Sequence, residues 1–441
     1  MKKRFFLFIG IVFVCFSCTT NENDFLENSN FIILQNDEYR DSEAPEIVSS
    51  FADSPESDTV PLDEIIIKYQ PEVSEAQKET LRNEYGVIHY RTCDCINGNQ
   101  KYELWVLDQG VVTEPTVKVI KRKNDDQVDF VAQNQGYDMP LHAVAIESED
   151  PSEDPPGDPS EVVYIESSFN NDYLNRIVST NDGITVAVLD TGVDTEQVGF
   201  IGDFLYNSAL NGNCGEESGW DFVNQDKNTY DDNDKKHGTV VSYIIHNQLK
   251  NTAVKHQILP VKIADADGKS TFFNTLCGLE YAIDKESDVI NLSFGWETSD
   301  LNIYNMFSDL IDTTDAIIVT SAGNKNQDNN AKPHYPSNFS QDYVLAIAAA
   351  KDDLSDATFF SNYGASMVDF YAIGNKITFP LKNPNTFSYF RGTSFAAPFV
   401  SAKVAELLSN NSQNIRVDLS QQFAVSVDYF SKPVQYMQII K

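Results

Sequence analysis

Three short motifs in the 441-residue chain contain residue types that could act together on a carbonyl group. Asp190 follows an apolar run, His237 opens the string His-Gly-Thr, and Ser394 lies in the string Gly-Thr-Ser-Phe-Ala-Ala-Pro. Each motif alone is more typical of a turn or a helix cap than of a catalytic site. Together they supply a nucleophile, a general base and a residue that orients the base. The sequence therefore predicts acyl transfer by a serine nucleophile.

The elements that must position these residues form an alternating strand and helix pattern. Short, continuous apolar runs predict five strands, at residues 184–189, 258–263, 289–292, 316–320 and 343–349. Apolar runs that are continuous rather than alternating are typical of a parallel sheet buried on both faces. Helices are predicted from His237 to about residue 245 and from Gly392 through Leu408. We therefore expect an α/β fold, a mostly parallel sheet flanked by helices, with the three residues at strand ends and helix starts.

From about residue 165 to residue 441 the sequence resembles the subtilisin-like serine peptidases, which have the same order of Asp, His and Ser. The string at residues 392–398 is the most specific part, and the strings Asn-Leu-Ser-Phe-Gly (291–295) and Ser-Ala-Gly-Asn (321–324) agree with it. The resemblance implies a catalytic domain at residues 164–441. It assigns Asp190, His237 and Ser394 to a catalytic triad. It assigns Asn324 as the donor to the oxyanion.

The resemblance also assigns residues to substrate binding. It implies that residues of two strings contact the substrate: Ser293, Phe294, Gly295, Ser321, Ala322 and Gly323. His334 would lie near the base of the primary specificity pocket, where it narrows or polarises the pocket. The implied substrates are proteins or peptides, and the reaction requires no cofactor. Calcium stays open, because the loop that would carry the family's strong calcium site is missing between His237 and Lys262.

Charge and the loop before His237 give further expectations. The chain has 32 Lys plus Arg against 66 Asp plus Glu, a formal net charge of −34. This charge disfavours binding to nucleic acid and to anionic lipid headgroups. The loop before His237 contains an acidic tract at residues 226–234, which we expect to be solvated and near the cleft. A calcium site or a preference for basic substrates is the weaker alternative for this tract.

Cysteine usage does not indicate a disulfide scaffold or a metal site. Six cysteines are too few for such a scaffold in a chain of this length. Cys93 and Cys95 flank one residue, whereas Cys214 and Cys277 lie far apart and are compatible with a disulfide in an exported protein. No spacing is typical of a zinc site, and no phosphate-binding glycine motif supports nucleotide binding.

The N-terminus carries a targeting signal. Three basic residues at positions 2–4 precede an apolar run at residues 5–16, which is shorter than the roughly 20 residues that span a membrane. Residues 1–17 resemble a bacterial lipoprotein signal, which implies that Cys18 is lipidated and becomes the mature N-terminus. An ordinary signal peptide with incidental cysteines is the alternative. We therefore expect the protein in the bacterial cell envelope, held at the outer membrane by a lipid anchor alone, or secreted.

A compact unit is predicted between two acidic segments. Residues 18–61 read as a flexible acidic tether, and residues 141–163 as an acidic, proline-rich linker. Between them, at residues 62–140, the pattern predicts a small α+β domain. Its first predicted elements are a strand at 63–69, a helix at 74–85 with a capping box of Ser74 and Gln77, and a hairpin of 87–92 and 101–107. A second helix, with Pro115 near its start, runs through residues 117–123, and a strand follows at 128–132.

The family resemblance implies a role for this unit. Residues 62–140 look like the inhibitory, chaperone-like propeptides of subtilisin-like peptidases, so the protein would be made as a zymogen and cut in the acidic linker. Its own propeptide would then be an intramolecular inhibitor. The alternative is a separate binding domain that stays attached.

Three other functions compete with a subtilisin-like peptidase. The string Asp-Thr-Gly at residues 190–192 also fits aspartic peptidases, but it occurs once and leaves His237 and Ser394 unexplained. A general esterase with a GxSxG elbow is disfavoured because Ala396 occupies the position of the second glycine. A catalytically silent surface lipoprotein that uses the fold for binding is the alternative from a different class, and the presence of Asn324 with the triad argues against it.

Overall fold

The structure is a computed structural model with side chains. It describes residues 59–97, 101–108, 113–139, 143–144, 178, 180–195, 204–210, 212, 214–380, 387–427 and 430–441. The leader with Cys18, most of the predicted tether and nearly all of the predicted linker lie outside these residues. None of the described helices combines the length and the hydropathy that a membrane crossing needs.

The N-terminal module, residues 59–139, contains two helices on a four-stranded antiparallel sheet. Its elements are β1 (Thr59–Tyr69), α1 (Glu75–Glu84), β2 (Val87–Thr92), β3 (Tyr102–Leu107), α2 (Thr113–Lys123) and β4 (Val128–Asp138). The strand order is β2-β3-β1-β4, and the predicted capping box starts α1. The predicted elements are confirmed, but β1 begins earlier and β4 ends later than expected, because Thr59 pairs with Tyr137.

The sheet of the N-terminal module is buried on both faces, which explains the continuous apolar run in β1. Ile65 and Ile67 pack with Leu81 and Ile120 of the two helices. Because successive side chains of a strand alternate between faces, Ile66 points to the other side. There it joins a cluster that is built mostly from the C-terminal part of the chain. The module therefore packs against the rest of the protein through an apolar sheet face.

The C-terminal domain, residues 180–441, is built on a nine-stranded sheet. Its strands are β6 (Ile184–Asp190), β7 (Trp220–Asp221), β8 (His256–Lys262), β10 (Val289–Leu292), β11 (Ile317–Ser321), β12 (Val344–Ala350), β13 (Phe370–Ile373), β16 (Ala424–Ser426) and β17 (Gln438–Ile440). The order is β16-β17-β13-β12-β11-β10-β6-β8-β7, and the β16–β17 pair is antiparallel while the other pairs are parallel. The expected α/β fold is confirmed.

Helices cover both faces of this sheet. They are α3 (His237–Leu249), α4 (Phe272–Asp284), α5 (Leu301–Ile311), α6 (Thr393–Ser409) and α7 (Ile415–Gln422). Residues of α3 and α6 pack with Val186 and Val188 on one face. Residues of α4 and α5 pack with Ala187 and Leu189 on the other face. This alternation explains why β6 is apolar at four consecutive positions, from Val186 to Leu189.

Short strands connect the N-terminal module to the C-terminal domain. The strand β9 (Lys269–Thr271) pairs with the end of β4 and extends the module's sheet. A three-stranded sheet contains β5 (Ala143–Val144), β14 (Ile377–Pro380) and β15 (Phe387–Phe390). Residues 143–144 of the predicted linker therefore form a strand, since β5 pairs with β15.

The disulfide arrangement corrects the pairing that the sequence suggested. Cys277 bonds to Cys93 and Cys214 bonds to Cys95, so Cys214 and Cys277 are not bonded to each other. Both disulfides join the N-terminal module to the C-terminal domain. The spacing along the chain could not reveal this pairing, because it depends on how the module packs against α4.

Candidate active site

Asp190 and His237 come together at the carboxyl end of the parallel sheet. Asp190 is the last residue of β6 and His237 is the first residue of α3. The His237 Nδ1 atom lies 2.8 Å from Asp190 Oδ1, and both side chains are buried. The backbone N–H of Thr191 also donates to Asp190 Oδ1, at 2.8 Å. The carboxylate is thus held in place on its own strand while it accepts from the imidazole.

A close backbone approach brings α3 to the end of β6. A Cβ atom on Gly238 would lie 2.3 Å from the carbonyl oxygen of Gly192 and 3.0 Å from the Cβ of Asp190. The Gly238 N–H donates to Thr191 Oγ1 at 3.0 Å. Gly238 is therefore needed after His237, because any side chain would push the imidazole away from Asp190.

The first turn of α3 is held by a residue of the acidic tract. Lys236, at the N-cap, offers no side-chain cap. The Asp231 Oδ2 atom accepts hydrogen bonds from the N–H and the hydroxyl of Thr239, at 3.0 and 2.7 Å. Asp231 is fully buried, and burial raises the pKa of its carboxyl while Lys236 and Lys262 oppose that shift. The tract thus caps the helix that carries His237.

This burial corrects one expectation about the tract and bears on calcium. Asp226 and Asp232 are exposed, as expected for a solvated loop, but Asp231 is not. The second oxygen of Asp231 accepts from the N–H of Asn233 at 3.2 Å. Its contacts with Thr239 and the nearby lysine ammonium groups therefore do not fit Asp231 as a calcium ligand. Among the described residues, one three-residue group has metal-ligand spacing, and it contains the disulfide-bonded Cys95 and Cys214 with Glu216.

Ser394 lies in the first turn of α6, close to the positive end of the helix dipole. Its Oγ atom, the His237 Nε2 atom, the Asn324 Nδ2 atom and the Asp190 Oδ2 atom are all buried and have no hydrogen-bond partner within the described chain. A buried polar atom without a partner costs roughly 1–3 kcal/mol. Four such atoms on the residues of one predicted site indicate a place where a ligand supplies the missing bonds.

Thr393 orients the amide of Asn324. The Asn324 Oδ1 atom accepts from the Thr393 N–H at 2.9 Å and from the Thr393 hydroxyl at 3.0 Å. Because the carbonyl end of the amide is occupied by these bonds, the Nδ2 end is the one left to donate to another group. The Gly323 N–H donates to the same hydroxyl at 3.1 Å. Thr393 thus connects the loop of Asn324 to the start of the helix of Ser394.

Two loops that carry the predicted substrate-binding strings meet beside Ser394; we call the region between them the substrate cleft, define it by residues 293–295 and 321–324, and call the two loops its walls. Both loops follow central strands, β10 and β11. The Ser293 hydroxyl donates to the carbonyl oxygen of Ser394 at 2.7 Å. The Ser321 hydroxyl donates to the Phe294 carbonyl oxygen at 3.5 Å, which links the walls. The structure therefore brings the predicted substrate-binding strings to one place beside Ser394.

His334 lies between the two walls. A Cβ atom on Gly295 would lie 2.2 Å from His334 Cε1, and a Cβ atom on Gly323 would lie 3.1 Å from His334 Cδ2. The ring is buried, with its Nδ1 atom 3.0 Å from Ser337 Oγ. Since the Ser337 hydroxyl donates to the His334 carbonyl oxygen at 2.6 Å, Nδ1–H is the donor of the ring contact. The imidazole occupies space between the cleft walls.

The N-terminal module contributes a side chain to one wall. Tyr137, near the end of β4, packs against the rings of Phe272, Phe294 and Trp296, with centroid distances of 5.9, 5.9 and 5.4 Å. The backbone beside it pairs with β9, and the Met139 N–H donates to the Gly268 carbonyl oxygen at 2.8 Å. The end of β4 therefore contacts the substrate cleft at Phe294.

Sequence reasoning missed the roles of three residues at this site. Thr393 was visible within a motif, but its hold on Asn324 requires contact across 69 positions. Nothing in the sequence around Asp231, apart from its acidic neighbours, indicated that it would hold the start of α3. Tyr137 follows a strand-like run, so its burial could have been foreseen from the alternation in β4, but not its contact with the cleft.

Comparison with known proteins identifies the family. A profile of the subtilase family (Peptidase_S8) matches residues 181–425, more than half of the chain. The thermophilic serine proteinase of Bacillus sp. (strain AK1) is 27% identical over 386 residues, which cover 85% of each chain. Thermitase of Thermoactinomyces vulgaris is 31% identical over 251 residues, or 54% of this chain and 80% of thermitase.

One solved structure is also similar to part of the chain. The crystal structure of a cold-adapted subtilisin-like serine proteinase covers 58% of this chain and 89% of its own, with 23% sequence identity and a TM-score of 0.46. The profile match spans seven of the nine strands of the large sheet in full, the Asp–His pair and the helix of Ser394. The chain belongs to the subtilase family and is a subtilisin-like serine peptidase.

Proposed function

We propose that the protein is a secreted serine endopeptidase that uses Asp190, His237 and Ser394 as its catalytic triad and is made as a zymogen. One observation carries this proposal. The His237 imidazole is hydrogen-bonded to Asp190 at 2.8 Å, while His237 Nε2 and Ser394 Oγ are buried without partners in the described chain. This is the set of bonds that a bound peptide and a proton transfer would complete.

The proposed reaction proceeds through an acyl-enzyme. His237 Nε2 accepts the proton of the Ser394 hydroxyl as Oγ attacks the scissile carbonyl carbon. Asp190 holds the proton on Nδ1 and stabilises the imidazolium that forms. His237 then gives its proton to the leaving amine, and a water molecule hydrolyses the acyl-enzyme in the same way. The reaction requires no cofactor.

Asn324 and the backbone N–H of Ser394 would stabilise the oxyanion. The Asn324 Nδ2 atom is buried and lacks a partner among the described residues. A preorganised donor in a site that excludes water stabilises developing charge without having to reorient, and its loss typically lowers kcat by about 10²–10³. The bonds from Thr393 to Asn324 Oδ1 support this role, because they fix which end of the amide can donate.

The substrate would be a peptide in extended conformation along the substrate cleft. The backbone of Ser293, Phe294 and Gly295 would pair with it on one side. The position of the His334 ring between Gly295 and Gly323 supports a small pocket for the residue before the scissile bond. We therefore propose that substrates have a small side chain at that position.

The N-terminal module would act as an intramolecular inhibitor. The end of β4 pairs with β9 and contacts the substrate cleft at Phe294, as a bound peptide would. Five residues after the end of β4 the chain pairs again, since Ala143 lies opposite Phe390, close in sequence to Ser394. These two anchor points support self-cleavage between Met139 and Ala143, at the start of the predicted linker. The released N-terminus would then belong to the catalytic domain.

The proposed location is the bacterial cell envelope, where lipid on Cys18 would anchor the protein. The two disulfides between the module and the C-terminal domain are consistent with an oxidising compartment outside the cytosol. The name of one relative, a cell wall-associated protease of Bacillus subtilis that is 31% identical over 254 residues, is consistent with export. Globomycin, an inhibitor of lipoprotein signal peptidase, should block processing if Cys18 is lipidated, and a Cys18→Ala variant should lose membrane attachment.

Maturation tests the proposed function. Residues 19–441 and the Ser394→Ala variant are expressed, incubated and analysed by intact mass under reducing conditions. We expect the active chain to split between Met139 and Ala143 and the variant to stay whole. A serine-directed fluorophosphonate probe should label the active chain and not the variant. If the folded chain neither splits nor reacts with the probe, including after the module has been removed, the protein is the catalytically silent binding lipoprotein instead.

A further inference from the structure

Two disulfides join the N-terminal module to the C-terminal domain independently of the backbone. Cys93 and Cys95 follow β2, whereas Cys277 lies in α4 and Cys214 precedes β7. The backbone between the two parts runs through residues 140–177. A peptide bond cut anywhere in that segment therefore leaves both parts in one covalent molecule.

The disulfide at Cys277 lies within a helix that contacts the module from its first turn to its last. In the first turn, the Tyr137 hydroxyl lies 2.6 Å from Thr275 Oγ1. At the other end, the N–H and the side-chain amide of Asn97 donate to Asp284, at 3.1 and 2.9 Å. The disulfide therefore fixes the module in the same position in which the end of β4 contacts the substrate cleft.

We propose that backbone cleavage alone does not open the active site of this protease, and that a dithiol reductant is needed to release the module. This inference rests on the proposed function of the module as an inhibitor. A tethered ligand binds at an effective concentration that reaches the millimolar range for short tethers. A cut module that remains disulfide-bonded would therefore rebind faster than any substrate could displace it.

The two disulfides differ in access. Cys214 is exposed, whereas Cys93 and Cys277 are 2% and 1% exposed. Since exchange requires a thiolate to reach a sulfur atom, the disulfide of Cys95 and Cys214 reacts first. The disulfide of Cys93 and Cys277 follows when the module loosens from α4.

Each reduction is an ordinary exchange. A thiolate of the reductant attacks Cys214 Sγ and displaces the Cys95 thiolate, which takes up a proton. The second thiol of the reductant then attacks the mixed disulfide, frees Cys214 and leaves the reductant as a disulfide. The same steps free Cys93 and Cys277. In total, two dithiols are oxidised, and four electrons and four protons reduce the two cystines.

The covalent link can be tested without catalysis. The protein used is residues 19–441 with Ser394→Ala, in which the recognition sequence of a site-specific protease replaces residues 151–157. The purified protein is then cut with that protease. On a denaturing gel without reductant we expect one band, and with dithiothreitol two. The matched variants are Cys93→Ser with Cys277→Ser, Cys95→Ser with Cys214→Ser, and all four together. Each two-cysteine variant should stay joined, and the four-serine variant should separate without reductant.

The regulatory consequence is tested on the self-processed protein with a native Ser394. Dithiothreitol should raise its activity on a fluorogenic peptide at least tenfold. The four-serine variant should be active without reductant and should not respond to dithiothreitol. If the four-serine variant fails to fold, a two-cysteine variant serves instead, and it should require less reductant than the native arrangement.

The outcomes separate the two proposals. Separation of the cut Ser394→Ala protein without reductant overturns the covalent link. One joined band together with full activity before reduction overturns the control by reductant but not the peptidase. One joined band together with no probe labelling after reduction and removal of the module overturns the proposed function, while the disulfide connection stands.

Discussion

The hydroxyl of Tyr137 lies 2.6 Å from Oγ1 of Thr275, although 138 residues separate the two along the chain. Thr275 lies in the first turn of α4, beside the aromatic side chains that receive the Tyr137 ring. The contact joins the end of β4 to the helix that carries the Cys277 disulfide. It therefore connects the proposed inhibitory contact with the proposed covalent tether.

Removing the Tyr137 ring should weaken docking of the N-terminal module. A Tyr137→Ala substitution deletes a buried ring, which typically costs about 3–5 kcal/mol, whereas Tyr137→Phe removes one hydrogen bond worth roughly 1 kcal/mol. In the cut and reduced Ser394→Ala protein, size-exclusion chromatography should show a larger fraction of separated module for Tyr137→Ala than for Tyr137→Phe. Equal behaviour of the two variants would show that the ring does not hold the module.

Loss of Asn324 should slow the chemical step. We expect Asn324→Ala to lower kcat of the activated enzyme about 10²–10³-fold with a small change in KM, because the donor acts mainly on the transition state. Thr393→Val should lower kcat less, by roughly tenfold, since it frees the amide to rotate. Thr393→Ser keeps the hydroxyl and is the matched control. A change confined to KM in Asn324→Ala would contradict the oxyanion role.

Replacing His334 should widen the pocket for the residue before the scissile bond. In His334→Gly, we expect kcat/KM for peptides with Phe or Leu at that position to rise about 10–100-fold relative to peptides with Ala. The reason is that removal of the imidazole leaves a cavity that a larger side chain can fill. A panel of fluorogenic peptides measures this ratio, and Ser337→Ala controls for loss of the contact to Nδ1. An unchanged ratio in a variant that melts like the native protein would rule out His334 as a determinant of specificity.

The docked module should bind more tightly in mild acid. Burial raises the pKa of Glu280 from 4.5 to about 7, against the opposing effect of Lys101, whose ammonium lies 3.6 Å away. The docked state thus holds a proton that a solvent-exposed Glu280 would release. The resulting stabilisation of the docked state is full below pH 4.5 and is lost as the pH rises toward 7.

A pH series measures this effect in the cut and reduced Ser394→Ala protein. Between pH 5 and pH 8 the fraction of released module should increase, with a change in the docking constant of roughly one to two orders of magnitude. Glu280→Gln keeps the shape of the side chain but cannot ionise, so its docking should vary less with pH. The same slope in this variant would assign the pH dependence to another group.

Local patterns predicted most of the sheet and the places of Asp190 and His237 in it. The five predicted strands of the C-terminal domain are continuous apolar runs because their residues alternate between two buried faces, as Val186 and Ala187 do in β6. Asp190 and His237 were predictable because they end a strand and start a helix, where the backbone itself brings them together. The apolar runs and the two motifs are each encoded within a few neighbouring residues, whereas the contact between Asp190 and His237 spans 47 positions.

Contacts between distant segments could not be read in this way. The partner of Cys93 depends on the orientation of the N-terminal module on α4, and the burial of Asp231 depends on how its loop folds over the start of α3. The pairing of β5 with β15 joins Ala143 to Phe390, a partner that neighbouring residues do not indicate. These features depend on surfaces that exist only after both parts have folded.

The sheet of the N-terminal module is apolar on the face that packs against the C-terminal domain. In the docked protein, Ile66, Tyr102, Leu104 and Ala132 lie in the apolar cluster shared with α4 and α5. After release this face would be exposed to water as an apolar patch, which typically promotes aggregation and local unfolding. The freed module would then be a good substrate for the enzyme it had blocked, so activation would be irreversible.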